Sequence, residues 1–319
     1  MVHPIIKLVT QRIALGLLLL LAVSALIFFG IEALPGDAAQ AMLGQSATPE
    51  SLANLREQMG LNDPMLPRYF HWLGGFLTGD LGVALTNGQD IAKSIGQRLG
   101  NTMFLAFWAA IIAVPLAITL GLVAARYNGR WPDKLISGVT LATISLPEFV
   151  AGYIVMYFLA VKWQLFPPTS LVFPGMTVFE RLHAVILPVI VLVMVVLAHM
   201  MRMTRAAILN VMQSAYIETA ELKGLSPIMV IWRHAFPNAI APVVNVVMLN
   251  LAYLVVGVVV VEVVFAYSGM GLFLVDSVTK RDLPVVRACG VIFAAVYIGL
   301  NILADVVSIL ANPRLRHPK

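Results

Sequence analysis

Residues Tyr216 to Asn238 read YIETAELKGLSPIMVIWRHAFPN, a long polar interruption between two strongly apolar blocks. Helical character runs out of the preceding block through Arg205 and stops at Gly224, because glycine fits the left-handed position just past a helix end. Two residues on, Ser226 is placed as an N-cap with Pro227 at the first helical position. A short helix toward Phe236 then puts Ile228, Ile231, Trp232 and Ala235 on one apolar face, while Arg233 and His234 point elsewhere. Pro237 ends that helix before the chain returns to apolar sequence. A short helix of this kind can sit in a cleft on a peripheral protein and pass the motion of that cleft to the attached helices. An ordinary connecting loop with an interfacial helix is the alternative that periodicity leaves open.

Outward from this stretch the chain is too apolar for water. It is 60% hydrophobic and 12% charged, where soluble domains carry roughly a quarter charged residues. Runs long enough to span a bilayer lie at about Ile13–Gly30, Thr102–Ala125, Leu135–Ala160, Ala184–Met201, Ala239–Phe265 and Ala288–Leu310. In lipid each must satisfy its own backbone, so each is expected as a helix, in an all-α polytopic membrane protein of six transmembrane helices. Pro115, Pro147, Pro188 and Pro242 fall inside or near the ends of these runs and can kink them. The first run, preceded by Lys7 and Arg12, is longer than a signal-peptide core; at 1.5 Å per residue it spans about 27 Å, and a retained helix is expected over a cleaved leader.

Orientation follows from the basic residues. With the N-terminus in the cytoplasm, the inner segments hold Lys7 and Arg12, then Arg126, Arg130 and Lys134, then Arg202, Arg205, Lys223 and Arg233, then Arg314, Arg316 and Lys319. The short outer loops hold Lys162 and Arg181, then Lys280, Arg281 and Arg287. Six spans return the C-terminus to the cytoplasm. The whole chain, 1–319, is expected as one transmembrane domain, with a long outer loop over 31–100 and an inner loop over 203–238. In the outer loop Thr48 can cap a helix starting at Pro49, with Glu50 in its first turn and Gly60 past its end. Leu52, Leu55 and Met59 would share a face of it. The segment from Pro67 to Phe76 gathers Tyr69, Phe70, Trp72, Leu73 and Phe76, which suits the membrane–water interface or packing on outer helix ends.

Few polar groups interrupt the spans. Glu148, Glu262 and Asp305 lie in or near apolar runs; each is expected to line a pathway, to sit near an interface or to pair with a neighbouring helix. Asn301 and Asp305, four residues apart, share a helix face and read as contacts between helices. His183, His199 and His234 lack metal-ligand spacing, Ser145 and Ser268 have no base in their sequence context, and the single Cys289 reads as a buried, inert thiol. No catalytic, cofactor-binding or metal-binding constellation stands out. The small net charge of +5 is spread between loops, so nucleic acid is not an expected partner.

Tyr216–Asn238 resembles the "EAA loop" of binding-protein-dependent ABC transporter permeases, through Glu218-x-Ala220-x-x-x-Gly224 and Phe236-Pro237 at a fixed distance. Leu34-Pro35-Gly36-Asp37, Ala47-Thr48-Pro49-Glu50, Gly79-Asp80-Leu81-Gly82 and Ser145-Leu146-Pro147-Glu148-Phe149 are similar to the dipeptide/oligopeptide/nickel group of these importers. So are the 259–265 run VVVEVVF, Gly269-Met270-Gly271, the 281–286 run RDLPVV and Asn312-Pro313-Arg314. His234 and Phe236 depart from the general loop consensus of Ile and Leu, though Arg-His-Ala at 233–235 is usual for the peptide group.

The resemblance implies a type I ABC importer fold in a bacterial inner membrane and a permease with no ATPase site of its own; no G-x-x-x-x-G-K-[ST] run is present. It implies that Glu218, Ala220, Lys223, Gly224, Ser226, Pro227, Ile231, Trp232 and Pro237 couple to an ATP-binding subunit. Glu218 would meet a basic residue there, and Ala220 would allow close approach. The implied partners are a second permease, favoured as a paralogue, two cytoplasmic ATP-binding subunits that hold ATP and Mg, a periplasmic substrate-binding protein and the lipid bilayer. Implied substrates are dipeptides or oligopeptides, with nickel, glutathione or another small solute as alternatives. A stand-alone secondary transporter or channel is the rival of another class; those folds often show inverted repeats, and none is visible in this sequence.

Overall fold

A computed structural model describes residues 4–34, 38–44, 47–58 and 60–311. Pro35, Gly36 and Asp37, Met59, the closing Asn312-Pro313-Arg314, Arg316 and Lys319 lie outside the described residues. The chain runs through α1 (Pro4–Glu32), α2 (Ala38–Leu43), α3 (Pro49–Gln58), α4 (Met65–Thr78), α5 (Ile91–Arg126), α6 (Trp131–Ser145) and α7 (Glu148–Met156). It continues through α8 (Val178–Ala184), α9 (Ile186–Met212), α10 (Ala215–Leu222), α11 (Pro227–Met229), α12 (Phe236–Val264), α13 (Met270–Thr279) and α14 (Leu283–Ala311). Wide π turns extend α7 over Tyr157–Lys162 and join α11 to α12 over Val230–Ala235. The described residues hold one isolated β-bridge, Val83 to Asp90, and no strand.

Helices α1, α5, α9, the α11–α12 rod and α14 are long and apolar enough to cross a membrane. The sixth crossing is not the single helix expected over Leu135–Ala160. That stretch is the pair α6 and α7, bent by 103°, the geometry of a broken span or a re-entrant loop. Pro147 has no N–H to continue α6, so Leu146 N–H turns back to the Thr143 carbonyl (3.3 Å), and the Pro147 carbonyl starts α7 by accepting from Ala151 (3.1 Å). Pro115 and Pro242 lie inside α5 and α12 without ending them, and Pro188 sits in the first turn of α9.

Small residues decide how the centre packs. Along α5, Ala106, Ala109, Ala113, Ala117, Gly121 and Ala124 recur at spacings of three and four, and all are buried. At Gly121 an added Cβ would stand 2.9 Å from the Thr204 side chain of α9 and 3.2 Å from the Met201 carbonyl. Lipid supplies no hydrophobic drive between helices, so this backbone approach and the dispersion it permits hold α5 to α9. Helix α14 packs on α12 and α1.

Within the stretch expected as the outer loop, helical structure resumes at Ile91 and α5 runs on to Arg126. Thr48 caps α3 by accepting from Ser51 N–H (3.1 Å), and Gly60 follows that helix at φ 63°. Helix α4 lies on the end of α1: Tyr69 is buried against Phe28 and Phe29, with its hydroxyl 2.8 Å from the Ser24 hydroxyl. The loop helices, α8 and α13 thus gather at one end of the bundle, the far end. The turn between α9 and α12 marks the other, the hairpin end.

Candidate coupling hairpin and intramembrane polar groups

Helix α9 runs past Arg205 to Met212 and breaks at Gln213-Ser214, so α10 is a separate helix. Gly224 then ends α10 at φ 76°. Its N–H donates to the Glu221 carbonyl (2.9 Å) and Leu225 N–H to the Ala220 carbonyl (3.4 Å), the paired closure of a glycine-terminated helix. Ser226 holds the N-cap backbone conformation, φ −62° and ψ 144°, but its side chain makes no cap bond. Pro227 begins α11 as expected.

Two expectations change here. Pro237 does not stop the short helix; it occupies the first turn of α12, and α11, the π turn and α12 form one rod. The π turn, in which Phe236 N–H reaches the Ile231 carbonyl, also resets the angular spacing of side chains. Val230, Ile231 and Ala235 turn inward, whereas Ile228 and Trp232 turn out, so the four-residue apolar face read at regular helical spacing is split.

The hairpin has a small core of its own. Ile217 and Ala220 of α10 pack on Val230 and Ala235, and Ile231 joins Ile208, Ala239 and Val243 at the base. Ala220 therefore permits close approach between the two arms of the hairpin. Glu218, Lys223, Gly224, Ser226, Pro227, Trp232 and Pro237 are exposed. Beside them stand bare apolar side chains: Leu222 at 83% exposure, Ile228 at 63%, Trp232 at 55% and Met229 at 43%. Leu222 and Met229 were missed in the sequence; with Gly224 placed at a helix end, a leucine two residues earlier was the available signal.

The intramembrane polar groups divide. Glu262, fully buried at the end of α12, accepts from the Thr102 hydroxyl (2.6 Å) and from Gly271 and Leu272 N–H (2.7 and 3.1 Å). Thr102 in turn accepts from Met270 N–H (2.8 Å). The carboxylate thus satisfies the open N-terminus of α13 and ties it to α5. Gly269 and Gly271 make room for it: an added Cβ would come within 2.0 Å and 3.0 Å of the carboxylate. Asp305 pairs with Arg12 of α1 (3.1 Å) in an exposed setting, and Asn301 donates to the Tyr297 carbonyl of its own helix (2.8 Å). Glu148 stands at the α6–α7 break, where Oε1 accepts from the Tyr253 hydroxyl of α12 (3.2 Å). The structure does not gather these four residues into one site.

Further pairs lay beyond the sequence. Glu32 of α1 meets Arg68 of α4 (2.8 Å) and Arg287 of α14 at the far end. Asp133 of α6, almost fully buried, takes two bonds from Arg205 of α9 (2.7 and 2.8 Å) toward the hairpin end.

Comparison with known proteins agrees with this architecture. Residues 117–317 match the family described as "Binding-protein-dependent transport system inner membrane component", and residues 5–106 match its N-terminal companion. The chain is 31% identical over 309 residues to a probable peptide ABC transporter permease protein of Sinorhizobium fredii, covering 97% of this chain and 99% of that one. It is 33% identical over 298 residues to a glutathione transport system permease protein of Escherichia coli, covering 93% and 95%. Among solved structures, the MetNI methionine ABC transporter in inward-facing conformations superposes with a TM-score of 0.50 at 15% identity, over 70% of this chain and 96% of that one. The chain therefore belongs to the inner-membrane components of binding-protein-dependent transport systems, as a multi-pass ABC importer permease with the type I fold.

Proposed function

We propose that this chain, 1–319 as one transmembrane domain, forms half of the translocation path of a peptide importer and takes its energy from a separate ATP-binding subunit docked on the hairpin. The observation that carries this is the bare apolar surface at Leu222, Ile228, Met229 and Trp232, next to exposed Glu218 and Lys223. Exposed apolar patches mark interaction sites, and the rod from Pro227 to Val264 gives this one a stiff lever into the bundle. The excess of basic residues at the hairpin end supports a cytoplasmic hairpin and cytoplasmic termini. ATP and Mg are held by two cytoplasmic partner subunits; this chain holds no cofactor. A second permease, a paralogue, completes the path, and a periplasmic binding protein delivers substrate at the far end. ATP-driven closure moves the hairpin and switches the two permeases between inward-open and outward-open states. Peptide and glutathione permeases among the relatives favour a short peptide as cargo.

The test uses the assembled complex. Glu218→Arg and Gly224→Asp should abolish uptake of a labelled dipeptide and leave membrane insertion intact. Normal coupling of ATP hydrolysis to uptake in either variant contradicts docking at this site. Ion-gradient-driven uptake by the chain reconstituted alone would instead support a stand-alone transporter.

A further inference from the structure

The α6–α7 break leaves a carboxylate in the first turn of α7. Glu148 is half-buried, and among the described residues no lysine or arginine forms an ion pair with it. Its one side-chain bond is with Tyr253, itself 48% exposed on α12. The break sets the carbonyl end of α6 beside the amide end of α7, in whose first turn Glu148 stands.

Helix α9 supplies an independent observation. It is the most buried of the crossing helices, yet His199, Arg202 and Ala206, at helical spacing, form an open face on it. His199 lies within electrostatic reach of Glu148. Helices α7, α9 and α12 pack on one another, so these groups share one open wall. A carboxylate, an imidazole and a guanidinium on one open wall are costly against hydrocarbon, and such groups face protein or a water-filled path. Arg202 sits one turn nearer the hairpin end than His199, so the charges of opposite sign are separated along the wall.

We propose that Glu148 and Tyr253, with His199 beside them, form a cation-selecting subsite on the translocation path that receives the free ammonium group of a transported peptide. This rests on the peptide-importer reading above. A carboxylate in a low-dielectric wall complements an ammonium ion, and the Tyr253 hydroxyl fixes the carboxylate's orientation. Arg202 follows where the carboxylate end of a short zwitterionic peptide would lie.

The chain's single cysteine makes the test clean, because Cys289 is buried and can be replaced by Cys289→Ser. In that background Leu249→Cys, on the exposed face of α12 one turn from Tyr253, serves as reporter in the assembled complex. Its reaction with an ethylammonium methanethiosulfonate is compared with that of the ethylsulfonate analogue, each normalised to its rate with a free thiol in water. The cationic reagent should win by about tenfold, the lower range of what a focused charge does to local counter-ion concentration. Glu148→Gln should erase that preference and Glu148→Asp should keep it; Tyr253→Phe should weaken it. Dialanine should slow the cationic reagent, and N-acetyl-dialanine should not. No reaction with either reagent, or the same preference in Glu148→Gln, overturns the subsite. A preference that depends on Glu148 while dialanine neither protects nor enters upholds the cation site and overturns the peptide reading.

Discussion

The two ends of the bundle differ in their long-range polar pairs. At the far end, buried polar groups close on one another: Glu262 with Thr102 and the start of α13, Glu32 with Arg68 and Arg287, Asn101 with Arg181 (3.0 Å), and Asp282 with Thr86 (2.9 Å). At the hairpin end Asp133–Arg205 ties α6 to α9, while large apolar side chains stand uncovered beyond it. These pairs tie distant segments together, so displacing either partner leaves a donor or acceptor dry, although Arg181 Nε, Asp282 Oδ1 and Arg287 Nε are already buried without a partner. An uncovered apolar surface has lost nothing yet and gains on contact. Bare apolar side chains also stand at the far end, at Phe70, Leu77 and Phe179, so the long-range polar pairs, and not exposure, mark that end as the fixed frame.

Substitutions sharpen that contrast. Glu262→Leu should be the most damaging. It leaves the Thr102 hydroxyl and two α13 N–H groups unsatisfied in a buried setting, at about 1–3 kcal/mol each. Thermal unfolding of the solubilised chain should show a sharply lowered midpoint, and an unchanged midpoint would remove Glu262 from the frame. Leu222→Ser combined with Trp232→Ser should leave that midpoint nearly unmoved, yet reduce co-purification of the ATP-binding subunits by about tenfold or more, as loss of interface anchors does. If unfolding shifts as much as association, the patch belongs to the fold. Gly224→Ala should cost about 1–2 kcal/mol, because a Cβ is disfavoured at φ 76°. Amide exchange should rise over residues 213–235 and stay flat over 262–279; a rise at both ends would argue against separate roles. Asp305→Asn should have the smallest effect, about 0–1 kcal/mol, since its pair with Arg12 is exposed.

Local chemistry was legible in the sequence wherever one residue's preference settles a conformation. Gly224, Pro227 and Thr48 stand where their backbone and capping preferences put them, and five of the six apolar stretches are helices long enough to cross, the other being the bent pair α6–α7. What resisted was set by distant partners. Nothing in the sequence separates Pro147, which breaks its span, from Pro115 and Pro242, which do not. The π turn at Val230–Ala235 defeated a reading at 3.6 residues per turn, because one wider turn is enough to move Trp232 out and Val230 in. Glu262 looked like a pathway candidate as readily as a packing group until Thr102, 160 positions away, closed on it. The Gly269-Met270-Gly271 pair held the missing clue, since two glycines around a helix start leave space for a carboxylate.

The most direct measurement is site-directed cross-linking from the exposed tip of the hairpin. In the Cys289→Ser background, Leu222→Cys in the assembled, membrane-embedded complex should cross-link to the ATP-binding subunit, with a yield that changes when nucleotide is added. A cysteine at Leu77, exposed at the far end, should not. Cross-linking to that subunit from Leu77 and none from Leu222 would contradict both the docking site and the orientation of the chain.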